Sequence, residues 1–220
     1  NCTFETESDL SNITNVSLEK SLFMQNVVFS GEILKTLYIS NCKFETELDL
    51  SKSTALQELD LYLSIFKQDV TFPQSLQKLT VNNCTFEMES DLSKSTSLRG
   101  LNLEKATFKR GVIFPQSLQI LIVNNCTFEM ELDLSESTSL QELHLRDATF
   151  KQGVTFPQSL QKLIARGGRF GEKLDLSQLT NLNYLSIDTK CVGYIPESLQ
   201  GKLSEYAGMI SYSDSSSSSQ

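Results

Sequence analysis

The sequence predicts a one-dimensional solenoid, α/β-type but mainly β, in which short coils stack so that their strands form a parallel sheet along one side. Three observations predict it. An apolar frame begins at Ile13, Leu34, Leu56, Leu76, Leu98, Leu118, Leu140, Leu160 and Leu182, at spacings of 20 to 22 residues. VNNCTFEMESDLSKSTSL at 81–98 returns as VNNCTFEMELDLSESTSL at 123–140, changed only at 90/132 and 94/136. All 13 phenylalanines fall in register: Phe4, Phe23, Phe44, Phe66, Phe86, Phe108, Phe128, Phe150 and Phe170 share one slot, while Phe29, Phe72, Phe114 and Phe156 recur once per two coils.

The elements follow in chain order. Cys2 and Phe4 read as the tail of a unit cut off by the start of the chain, so the chain is expected to be a fragment whose missing leader says nothing of location. Within each unit, Leu79 and Val81 alternate with Lys78, Thr80 and Asn82, the period of a strand with one face buried. A lone unit exposes its apolar face, and stacking buries it. Two unit types alternate, one reading C-T-F-E-x-E-x-D-L-S-x-S-T-S-L and the other A-T-F-K-x-x-V-x-F-P-Q-S-L. The residue after each Phe runs Glu45, Lys67, Glu87, Lys109, Glu129, Lys151, which places opposite charges on neighbouring coils. The solenoid is expected over 1–192. A C-terminal cap follows over 193–210, with Pro196 at a helix start and Leu199, Leu203 and Tyr206 at helical spacing. The serine-rich 211–220 cannot bury apolar surface and reads as a disordered tail.

The frame L-x-x-L-x-L-x-x-(N/C)-x-(L/F) resembles the leucine-rich repeat family over about residues 2–192, with the F-P-Q-S-L-Q-K-L turn similar to bacterial effector and amoebal units. The resemblance implies a right-handed superhelix with a concave parallel sheet, a short cap helix, and binding through the concave face. In some effectors such repeats precede a ubiquitin ligase with a C-x-D nucleophile. No cysteine here is followed by x-Asp.

The repeated motif offers four chemistries, and packing explains it better than any of them. Cys42, Cys84 and Cys126 share a slot that Ser64, Ala106 and Ala148 fill on the intervening coils. Two coils separate the cysteines by about 9.6 Å, beyond the ~7 Å reach of a disulfide. They read as reduced space-fillers, with neither a disulfide nor a metal ligand set; Cys2 fits the same column, and Cys191 alone lies off it. Asn1, Asn12, Asn15, Asn83 and Asn125 head glycan acceptor patterns, but packing and strand propensity already account for the residues that follow them. The run Glu87, Glu89, Asp91 lacks the glycine-bent loop of a calcium site and reads as a solvated acidic face. His144 is the sole histidine and has no nucleophile placed beside it, so no enzyme and no cofactor are expected.

A formal charge of −8 argues against affinity for nucleic acid or anionic lipid, and no apolar run is long enough to insert in a membrane. What remains is the outward face of the sheet, whose residues vary while the frame does not. It carries Tyr38, Tyr62 and Tyr184, three of the six tyrosines, and in its C-terminal half Ile120, Ile122 and Ile164 ringed by His144, Arg146, Arg166 and Tyr184. Exposed apolar residues rimmed by Arg and Tyr have the composition of a protein-binding hot spot, although isolated outward Ile also occurs as ordinary strand filler. The sequence therefore predicts a monomeric module binding a protein or peptide; it does not name the compartment, with a secreted or cell-surface place slightly favoured over the cytoplasm. The alternatives are a structural or adhesive stalk, or the substrate-recognition part of a larger secreted effector.

Overall fold

A computed structural model describes residues 2–4, 8–9, 12–29, 31–171, 174–188 and 192–194, together with Glu197 and Leu199. Each coil opens with its longest strand. Nine of these, Asn15–Glu19, Thr36–Ser40, Glu58–Tyr62, Lys78–Asn82, Gly100–Glu104, Ile120–Asn124, Glu142–His144, Lys162–Ala165 and Tyr184–Ile187, pair in parallel in chain order. The register never slips: Val16, Leu37, Leu59, Leu79, Leu101, Leu121, Leu143, Leu163 and Leu185 stand opposite one another. All nine are buried. A one-residue slip would turn each of them to solvent, which is why the alternation fixes the pairing.

The sequence pattern announces one sheet, but strands run along three sides. A second nine-stranded parallel ladder begins with Cys2–Phe4 and Ser21–Phe23 and ends with Arg169–Phe170. A third is segmented: four strands, Leu48–Asp49, Val70–Thr71, Ser90–Asp91 and Val112–Ile113, pair together, and elsewhere this side is made of two-stranded pairs. The two extra ladders escape a periodicity argument because most of their strands are only two residues long.

The second ladder carries the shared Phe slot. Nine rings from Phe4 to Phe170 stack face to face, with centroids 4.5 to 5.3 Å apart and planes within 15° of parallel. In-register parallel strands set that spacing, and offset stacking adds to the large area each ring buries.

The repeated Asn has a backbone role. Lys20, Asn41, Leu63, Asn83, Lys105, Asn125 and Asp147, each just after a long strand, have φ between 49° and 56°, and Gly167 continues the column at 69°. The left-handed region turns the chain into the second ladder while each N–H still donates to the next coil, as from Asn83 to the Glu104 carbonyl at 2.8 Å. Asn tolerates this conformation better than any branched or bulky residue. The last acid of each acidic run is likewise structural: Asp49, Asp91, Asp133 and Asp175 accept from the N–H of Ser51, Ser93, Ser135 and Ser177 at 2.8–2.9 Å. Those bonds hold the Asp133 and Asp175 carboxyls below the usual range.

Cys42, Cys84 and Cys126 are buried and free, in line with the expected packing role. Burial pushes the Cys42 thiol up, and those of Cys84 and Cys126 to about 11 and about 12. On the surface, Lys67, Lys109 and Lys151 pair with Glu45, Glu87 and Glu129 at 3.3, 3.2 and 3.1 Å. Every Lys reaches back to the preceding Glu, so the pairs bind coils two by two. Toward the C-terminus, Glu197 and Leu199 are helical and Leu199 is buried in the core, where the cap helix was expected. The other residues of the expected cap helix, Cys191 and the 211–220 tail lie outside the described residues.

Candidate functional site

The outward face of the long-stranded sheet is built from two parallel rows in its C-terminal half. Ile120, Glu142, Lys162 and Tyr184 stand side by side across four strands, and Ile122, His144, Ile164 and Ser186 form the next row. His144 thus lies between the two isoleucines. Gly100 precedes Ile120 in its row, and nothing would lie within 4 Å of a Cβ there. That gap bares one flank of Ile120, which is 40% exposed.

A single carboxylate oxygen organises the patch. Glu142 Oε1 accepts from Lys162 Nζ at 2.6 Å and lies 2.6 Å from His144 Nε2. Both contacts hold the Glu142 carboxyl below its ordinary value, Lys162 more than His144. A carboxylate only accepts, so this geometry selects the tautomer with the proton on Nε2. Lys162 Nζ also sits 5.6 Å from the centroid of the Tyr184 ring.

Side-chain contacts reshape this face in three ways. Lys162 does not offer a free positive charge, because Glu142 takes it up. Ser186, outward by strand alternation, is nonetheless buried: the Arg166 guanidinium lies over it, donating from Nε to Oγ at 2.6 Å. Ile122, His144 and Ile164 point outward but are only partly exposed, since closely spaced neighbours cover their sides. Arg146 is exposed and forms no ion pair among the described residues, while Arg166 is exposed and spends one N–H on Ser186.

The candidate residues divide into two groups. Tyr38 and Tyr62 are exposed on adjacent strands, Tyr38 opposite Asp60 and Tyr62 opposite Asn82. The strands Lys78–Asn82 and Gly100–Glu104 separate them from Ile120.

No protein-family model matches the chain, and no curated protein matches it. Among solved structures it is similar to the crystal structure of a TLR13–ssRNA13 complex at 12% identity, covering 90% of this chain. The chain spans 56% of the length of that one, with a TM-score of 0.23. A TM-score this low relates no residue of one to a residue of the other. The parallel solenoid with coils of 20 to 22 residues, as a leucine-rich-repeat-like frame requires, rests on the fold described above.

A second feature lies beside the face and was missed. Where the turns enter the long strands, Gln119, Gln141, Gln161 and Asn183 line a groove of about 640 Å³ with neighbouring Ser, Thr and Asn side chains. The Ser-Leu-Gln before the strands that begin at Ile120, Glu142 and Lys162 was its signal, overlooked because those Gln precede the alternating positions.

Proposed function

We propose that this chain is a protein- or peptide-binding module of leucine-rich-repeat type, recognising its partner through the C-terminal half of the long-stranded face. The observation that carries the reading is the placement of Ile120, Ile122 and Ile164 on adjoining strands around His144, with exposed Arg146 and Arg166 at the strand exits. Apolar side chains grouped inside a basic rim favour a partner that brings an apolar anchor and acidic flanks. Because Glu142 neutralises Lys162, the attraction for those flanks falls to the two arginines. The reading assigns no catalytic step and no cofactor to these residues, and it takes the chain to act as a monomer.

The test is the triple variant Ile122→Ala, His144→Ala, Arg166→Ala. Proteins cross-linked to the parent from the native source are identified, purified and titrated against both chains. A genuine partner is expected to bind the parent at least tenfold more tightly, since buried hot-spot side chains each contribute about 2 kcal/mol or more. Equal binding by a circular-dichroism-matched triple variant would remove the face from consideration and leave the structural-stalk reading.

A further inference from the structure

We propose that the groove along Gln119, Gln141, Gln161 and Asn183 is a binding site for a linear, uncharged glycan. The four residues form one hydrogen-bonded ladder: Gln141 N–H donates to the Gln119 carbonyl at 2.9 Å, Gln161 to Gln141 at 2.9 Å, and Asn183 to Gln161 at 2.8 Å. Their carboxamides therefore repeat at the strand spacing, about 4.8 Å. None of these four side chains makes a hydrogen bond among the described residues, so each presents a free donor and a free acceptor. One hydroxyl beside them is already oriented: Ser159 Oγ donates to the Leu140 carbonyl at 2.7 Å.

The lining selects the ligand class. Among the described residues it contains no charged side chain, so an ionic ligand finds no counter-charge, and no aliphatic or aromatic wall, so an apolar ligand gains nothing by entering. A row of amides suits hydroxyl groups, which donate and accept at the same time. An extended peptide turns equivalent groups to one side every two residues, about 6.6 Å apart, out of step with the coils. A linear glycan advances by roughly one pyranose ring per coil, so each ring can set a hydroxyl beside one amide. Upstream the row stops at Arg99, whose guanidinium donates back to the Thr96 carbonyl at 2.7 Å and places a charge between the amides of Gln77 and Gln119.

The experiment is calorimetric titration of the purified chain with cellohexaose, xylohexaose, mannohexaose and chitohexaose, up to millimolar concentration. Saturable binding of at least one is expected, little changed by added salt. Gln119→Ala, Gln141→Ala, Gln161→Ala together should weaken it at least tenfold, and the single Gln141→Glu, which keeps the size of the side chain, should weaken it too. The Ile122/His144/Arg166 variant should bind the sugar as the parent does, which separates this site from the protein-binding face. The proposal is overturned if no probe binds, if the triple Gln variant with unchanged circular dichroism binds like the parent, or if only an extended neutral peptide is held.

Discussion

Leu63 and Asn83 occupy the same left-handed turn on adjacent coils, at φ 49° and 55°, and the Leu63 N–H donates to the carbonyl of Asn82 beside it. One residue suits that backbone and the other does not. Leu63 is 40% exposed, so little burial offsets the strain on its Cβ. Replacing Leu63 by Asn is expected to raise stability by about 0.5–1 kcal/mol, part of the 1–2 kcal/mol that the left-handed region costs most residues. Urea unfolding followed by circular dichroism measures it, and an unchanged or lower midpoint would contradict the strain argument.

Ser90 offers a larger gain. It sits in the third ladder between Val70 and Val112, is 2% exposed, and its hydroxyl has no partner among the described residues. The copy two coils on has the buried Leu132 at this position. Ser90→Leu should stabilise the chain by about 1–3 kcal/mol, the cost of an unsatisfied buried polar group. Ser90→Ala, which removes the hydroxyl without filling space, should give a smaller gain. A destabilised Ser90→Ala would mean that the hydroxyl is satisfied.

The buried thiols predict an alkaline loss of stability. Burial disfavours the thiolate, so Cys84 and Cys126 titrate at about 11 and about 12 when folded, against ~8.5 for an exposed thiol. Above that lower value the unfolded chain has released protons that the folded chain keeps, so stability falls as pH rises. The contribution is fully present below about pH 8.5 and is lost progressively up to the folded values. Comparing parent with Cys84→Ala/Cys126→Ala should show the parent losing more stability between pH 9 and 11. In native buffer at neutral pH both thiols should resist a thiol reagent.

Deleting residues 76–117 removes one pair of coils in register. Phe66 would then stack on Phe128, and Lys67 would neighbour Glu129. The shorter chain should fold cooperatively, because each coil meets only its neighbours. Deleting 98–117 alone would bring Cys84 and Cys126 to adjacent coils, within disulfide reach, and set Glu87 beside Glu129. That variant should be less stable than the pair deletion and prone to oxidation, as mass spectrometry and thermal melting would show.

How much was legible follows from how often a position repeats and how regular its residue type is. Nine Phe in one slot and nine apolar residues at the head of the frame state the core and the register without ambiguity. The turn column was hidden because Lys20, Leu63, Lys105 and Asp147 share it with the asparagines, and the backbone conformation alone unites them. At the candidate face, the rows through Ile120 and Ile122 follow from counting alternate residues. The neutralisation of Lys162 and the burial of Ser186 do not, because they depend on where long side chains fold back over their neighbours.

The ion pairs that join coils in twos have a hereditary consequence. The blocks at 81–98 and 123–140 are nearly the same text, so a gene encoding them can recombine out of step by one such block. Each event adds or drops one Glu-bearing coil together with the Lys-bearing coil that answers it. Every column then survives the change in length, and the longer or shorter product can still close its core.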